Sequence, residues 1–561
     1  MRAIAMLAAL LLAASFAPAA SHACSEPQVT GNLPASVAEW ALGAQLLDGL
    51  GDSHRAISSA VPLAQRYFDQ GLRLLWAFNH DEATRSFAAA ARADPGCAIC
   101  YWGVALTVGP NYNLPLLAPP RAKVAWEALE NARANAARAS AVERELIAAL
   151  GARYASDAPL SGPALEHASR AYANAMAELA QHHRDDLDVQ TLWAEALMNV
   201  APWRLWAADG TPAAETPRIL AILEGVMARD PHHPGANHYY VHAVEASPHP
   251  ERGLDTALRL RGLMPGAGHL EHMPAHILQR VGRYNEAAEA NRRGAAADRA
   301  YLAKTRPPDY YGIYTAHNYQ FLAYSALMAG RAREALDAAR RMREAMPVEL
   351  LRAAPGYDWY VAQAYLVALR FEQWQTLLAE PEPGTHLPGL HAGYLYARGS
   401  ALAATGKPAA ARDALARLRA EAARVPADYG AGLNLLGDVL RVALTDLDAR
   451  IARAEGRMDD AIALLEQAVA AEDRLAYDEP RAWFVPARQA LGAALLEAGR
   501  PADAARAFDE DLARNPENGW SLFGLRAALT AQDEMTAAAA VARRLDTAWR
   551  QADFALTAAR P

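Results

Sequence analysis

The sequence predicts an all-α chain, a superhelical solenoid of tandem helix–turn–helix units, on three observations. Apolar residues recur with a helical period almost throughout, and no stretch alternates long enough to demand a sheet. Helix-stopping residues return at fixed spacing. Pro231 and Pro265 close two helices 34 residues apart, and Gly282-Arg283-Tyr284 and Gly330-Arg331 supply equivalent interhelix turns. Further units show around Gly406 with Lys407, around Gly456 with Arg457, and over residues 369–374. Composition agrees: 52% hydrophobic and 21% charged residues describe a well-cored globular chain, and an array lets 561 residues form one body because its core grows unit by unit.

Residues 1–23 read as an export signal, with Arg2, an apolar stretch over residues 3 to about 14, and mainly small residues through Ala23. Ser21-His22-Ala23 lacks the aliphatic residue that a lipidation box carries three positions before its cysteine, so secretion is expected rather than a lipid anchor at Cys24. A periplasmic or extracellular location follows. Residues 24–60 form an N-terminal segment and residues 61–561 a continuous array with inserted loops and a His-rich centre at 232–324. No later stretch holds 18 uninterrupted apolar residues, so no membrane span is expected. A formal charge of −8 without a basic run argues against a nucleic-acid partner.

Tyr67, Gly71, Ala83, Phe87, Ala90 and Pro95 keep the spacing of a 34-residue unit, and Leu491, Gly492, Leu495, Ala504, Phe508 and Pro516 repeat it. This pattern resembles the tetratricopeptide repeat. The resemblance implies a right-handed superhelix whose first-helix residues line a concave, ligand-holding groove. Less regular stretches at 110–120, 202–217 and 303–314 read as loops or lids inserted between repeats.

Eight of the 17 histidines fall between His232 and His276. One helix is expected to carry His238 and His242, and the next His269, His272 and His276, at spacings that share one helix face. In the repeat frame His238 is position 5, His242 position 9 and Glu245 position 12. The next unit has His269 at 2, His272 at 5 and His276 at 9, and the one after has His317 at 2, Gln320 at 5 and Tyr324 at 9. A His pair at i, i+4 chelates a transition metal from one helical turn, Zn or Cu fitting best. The expected ligands are His238, His242, His272 and His276, with His269 and His317 as further ligands or their partners. Glu245 would orient an imidazole or act as a base. Tyr239, Gln320 and Tyr324 are candidates for the groove or outer shell. The H-E-x-x-H zinc-protease signature is absent from this segment.

Other histidines read differently: His232, His233 and His249 flank prolines and suit turns. Trp203 and Trp206 are expected to pack between helices rather than cap the groove, and Tyr477-Asp478-Glu479-Pro480 to form a structural junction rather than touch it. Cys97 and Cys100 are a disulfide candidate, since Tyr101 stands where haem attachment needs histidine. Neither haem nor nucleotide is expected.

The strings GCAICYWG, HHPGANHYYVHAVEASPHPERGL, GHLEHMPAHILQRVGRYNEAAEAN, LAYDEPRAWFVPARQALGAALLEAGR and NPENGWSLFGL together resemble a group of exported bacterial tetratricopeptide proteins, over nearly the whole mature chain. That group carries a histidine where this chain has Gln320, so the likeness implies no ligand there. It implies architecture and a groove, and no reaction. The functional expectation is therefore a His-rich site for a transition metal or metal-bound ligand. A cell-envelope scaffold binding a protein, peptide or small ligand without metal is the alternative, and a metal-dependent oxidase or hydrolase the third.

Overall fold

In the computed structural model, residues 33–305, 307 and 311–557 are described. The stretch read as an export signal and Cys24 lie outside them, as do parts of the 303–314 stretch read as an insertion. The described residues form an all-α solenoid of helix–turn–helix units, from Pro62–Trp76 with His80–Ala93 to Gly519–Ala531 with Met535–Ala548. One two-residue antiparallel pair, Gly430–Ala431 with Asn434–Leu435, interrupts it. Most helices pack on their successor, and first helices pack on first helices of the next unit in much of the array. No described helix is long and apolar enough to cross a membrane.

The interhelix turn repeats because its hydrogen bonds do. Gly282 N–H bonds to Gln279 O and Arg283 N–H to Leu278 O, and the same pair recurs at Gly330, Gly406, Gly456 and Gly499. The residue at this position takes positive φ, which glycine adopts without steric penalty. Three units place another residue there: Phe78, Glu372 and Asp533. Helix pairing repeats too. A Cβ on Gly71 or Gly103 would run into the Phe87 ring, and one on Gly492 or Gly524 into Phe508.

An open array touches only its neighbours; this one closes on itself. Trp520 Nε1 donates to Leu327 O at 2.9 Å, Asp553 N–H bonds to Gly330 O at 3.1 Å, and the Trp549 ring lies against Gly330 and Gly519. The N-terminal segment straps the other side, with Gly266 N–H bonded to Gly49 O at 2.7 Å and Arg55 paired to Asp186 and Asp188. The array therefore encloses an interior instead of an open trough.

The two glycine environments give opposite expectations. Gly103→Ala forces the Phe87 ring to move and destabilises by about 1–3 kcal/mol, whereas Gly225→Ala, with nothing within 4 Å inside the Thr216–Arg229 helix, stabilises by roughly 0.5–1 kcal/mol. Urea unfolding midpoints check both, and equal shifts would contradict the packing described.

Candidate metal centre

Five imidazoles are almost wholly buried: His238 and His272 are 0% exposed, His276 1%, His242 2% and His269 7%. His238 and His242 project from the Pro234–Glu245 helix. The next helix is not continuous as expected but split into Gly268–His272 and Pro274–Arg280, because Pro274 has no N–H for the ladder. Met273 stays in the right-handed helical region, so the i, i+4 face survives the break. His317 comes from Tyr311–Met328.

Five of the six rings are oriented from behind. His238 Nδ1 donates to Trp76 O at 2.6 Å, His242 Nδ1 to Glu245 Oε1 at 2.7 Å, and His272 Nδ1 to Asn291 Oδ1 at 2.7 Å. Asn291 is fixed in that sense because its Nδ2 donates to Ala287 O. His276 Nδ1 meets Glu245 Oε2 at 2.5 Å and Glu479 Oε2 at 2.6 Å. His317 Nδ1 lies 3.4 Å from Gln320 Oε1, whose amide donates to Gln363. A neutral imidazole carries one N–H, so committing Nδ1 turns each Nε2 lone pair inward. There the nitrogens converge: His272 Nε2 and His276 Nε2 are 2.7 Å apart, and His238 Nε2 and His269 Nε2 3.1 Å. His242 Nε2 and His269 Nδ1 have no hydrogen-bond partner among the described residues.

The electrostatics follow from burial and from two carboxylates. Burial holds His238, His269 and His272 well below the usual imidazole range, with neighbouring imidazoles adding to it; it also lowers His242 and pushes His317 down to about 3. Burial works against His276 as well, but Glu479 and Glu245 override it and push His276 up to about 10. Burial opposes charge on Glu245, yet His276 and His242 hold its carboxyl well below the ordinary range. Glu479 is driven well above that range by burial and by the Glu245 charge. Without an ion, the proton on His276 fills the gap to His272 Nε2.

The walls are aromatic. Phe78 packs on His238, His242 and His269, with ring centroids 4.4, 5.5 and 5.7 Å away. Phe321 does the same for His272, His276 and His317 at 4.7, 4.5 and 4.8 Å. Trp203 meets His242 at 5.5 Å and Tyr112 meets it at 5.6 Å, while Tyr314 lies 5.6 Å from His269. These last three come from the 110–120, 202–217 and 303–314 insertions, which thus close the site. A cavity of about 20 Å³ beside His269, lined in part by Phe78, Tyr301 and Tyr314, has room for one water.

Several placements differ from the sequence reading. Trp203 caps the site instead of packing between helices, because a positive φ of 61° turns it inward; Trp206 supports it by donating Nε1 to Ala243 O. The 477–480 stretch is part of the site, not only a junction. Asp478 is tied down by Leu433 N–H and Tyr360 OH, while its neighbours Tyr477 and Glu479 turn to the imidazoles. Tyr477 OH donates to Glu245 Oε2 at 2.8 Å, and Glu479 reaches His276 and, at 3.9 Å, His317. Tyr324 stands apart in the closure seam, beside Phe484 and 3.5 Å from Asn515. Tyr239 lies behind the wall, on Trp76 and Phe78. His233 caps its helix by accepting from Ala236 N–H, and His249 pairs with Glu251. Cys97 and Cys100 form a disulfide across the N-terminus of the helix Ala98–Thr107, joining the residue before it to its first turn. Phe78 and Glu479 were missed. The signal for Phe78 was available, since the turn frame puts glycine at its position in five units.

No family model matches the chain, and no curated protein does. Among solved structures, the APC/C hetero-tetramer Cut9–Hcn1 is similar at 14% identity and TM-score 0.29, over 86% of this chain and 76% of that one. The human IFIT1 dimer with m7Gppp-AAAA is similar at 12% identity and TM-score 0.32, over 80% of this chain and 89% of that one. The human IFIT1 dimer with PPP-AAAA gives 12% and 0.32, over 91% and 99%.

Two measurements test this geometry. At Phe78, φ is 54°, where a non-glycine residue is strained by about 1–2 kcal/mol; Phe78→Gly should thus be less destabilising than Phe78→Ala by about 1 kcal/mol in urea unfolding, and the reverse order would refute the strain. Asp298 is 0% exposed and accepts from Tyr311 OH and Asn318 Nδ2 while packing against Gly268, next to His269. Burial pushes it up to about 6 against those two hydrogen bonds. Since the folded value exceeds the unfolded one, this contribution is present below pH ~4 and is lost as pH rises through about 6, roughly 3 kcal/mol in all. Asp298→Asn should flatten the stability profile across that window, and an unchanged slope would count against it.

Proposed function

We propose that the chain binds a transition metal through these imidazoles. One observation carries the reading: His272 and His276, whose Nδ1–H groups are already given to acceptors behind them, face each other through Nε2 at 2.7 Å, and His238, held the same way, faces His269 Nε2 at 3.1 Å. Imidazole nitrogens at such separations share either a proton or a metal ion, and metal-ligating histidines donate their other N–H in just the way His238, His242, His272 and His276 do here. A donor set dominated by imidazole suits Zn or Cu, and three-histidine sets leave a fourth position open for water or a small ligand. Such an open position is what a metal-dependent oxidase or hydrolase would require. The Cys97–Cys100 disulfide supports the further proposal that the protein is exported to an oxidising compartment.

A second reading is favoured by the solenoid itself, whose remaining surface would serve as a protein- or peptide-binding scaffold. The buried centre then only braces the closed array.

Elemental analysis of untagged full-length chain after dialysis against Zn²⁺ separates the two. Near-stoichiometric metal that falls sharply in His242→Ala and His276→Ala supports the centre. Glu245→Gln, which weakens the hold on both rings, should lower affinity by about 10- to 100-fold. Metal-free wild type, or metal retained equally in all three variants, would remove it and leave the scaffold.

A further inference from the structure

The six imidazoles are built as one site made twice. His238 and His242 occupy positions 5 and 9 of one repeat and His269 position 2 of the next; His272 and His276 occupy positions 5 and 9 of that next repeat and His317 position 2 of the one after. We propose that the centre is binuclear, with one ion held by His238, His242 and His269 and a second by His272, His276 and His317. This rests on the metal-site reading above.

The geometry of the two trios matches. In the first, ring centroids are separated by 4.9, 4.9 and 6.0 Å; in the second by 4.6, 4.9 and 5.9 Å. Within each trio the nearest ligand atoms all lie within 4.8 Å of one another. Each is backed by one phenylalanine ring, Phe78 for the first and Phe321 for the second. The trios abut through His242 with His276 at 5.6 Å and His269 with His272 at 5.7 Å.

Donor number and charge point the same way. A Zn ion is satisfied by four ligands, fewer than the six imidazoles gathered here. Glu245 and Glu479 group with His242 and His276, one ring from each trio, so the carboxylates sit where two cations would repel. Glu245 orients both of those rings, which makes it a positioning residue common to the two ions. The series ends at two because the third unit has Gln320 and Tyr324 at positions 5 and 9, and the Gln320 amide is already given to Gln363.

The test is metal stoichiometry of the full chain, loaded with Zn²⁺, passed through a desalting column and washed with a weak chelator. Two ions per chain are expected, falling to one in His269→Ala, to one in His317→Ala, and to none in the double variant. One ion per chain that either variant abolishes would overturn the binuclear assignment while keeping the metal site. Two ions lost together in either single variant would overturn the division into trios. No ion at all would defeat the underlying reading instead. Where a variant fails to fold by circular dichroism, the wild-type count decides, with Cu²⁺ loading as a second count: magnetic coupling between two ions in the electron paramagnetic resonance spectrum supports the pair, and the signal of one isolated ion per chain overturns it.

Discussion

The carboxylate of Glu245 is the fixed point of the molecule. It is 1% exposed and accepts from His242, His276 and Tyr477, which belong to three segments, the last of them 232 residues beyond Glu245 in the chain. A buried charge without partners is among the costliest arrangements a fold can contain, so the three donors must arrive together. Their arrival sets the angle between the Pro234–Glu245 helix and its successor, and pins the 477–480 strap across the interior. The inward aim of two imidazoles is thus a consequence of satisfying one carboxylate.

Closure of the array makes that arrangement possible. An open solenoid of this length would leave its inner face wet, and water would solvate both the carboxylate and the rings. Here the C-terminal units return to the turns at Gly282 and Gly330, where added Cβ atoms would strike Pro516 and Trp549. Close backbone approach at those glycines, together with the three aromatic insertions, dries the chamber. In such a chamber His238, His242 and His272 keep the Nδ1 proton on the side where an acceptor stands, which leaves their Nε2 atoms facing inward.

Much of this was legible in the sequence, for a reason that is local. His238 with His242 and His272 with His276 share helix faces by spacing alone, and the 34-residue offset between the pairs places them in register. His269 and His317 follow from the same frame. Features that depend on closure were not legible. Glu479 lies 234 residues beyond Glu245, and nothing in the repeat period brings them together. Trp203 depends on one residue's backbone sign, which composition does not encode. Tyr324 has the correct frame position but sits where the returning C-terminal units cover it, so position 9 of that unit faces Phe484 rather than the imidazoles.

Departures from local rules occur along the array, at Glu372, Glu517 and Asp533 among others, and several of them border this site. Most turns of the array obey the glycine rule, yet the unit that backs the first trio puts Phe78 at positive φ, and Trp203 does the same beside His242. His242 Nε2 and His269 Nδ1 are buried without partners, although each such atom costs about 1–3 kcal/mol. A fold selected only for stability would replace these residues with glycine at the turn and apolar side chains within. Strained backbone and unsatisfied nitrogens persist when the surrounding structure holds them for a purpose. At Phe78, Trp203, His242 and His269 both kinds of departure border one chamber, where a bound cation would satisfy the nitrogens. The repeat scaffold supplies the rigidity that keeps them in place.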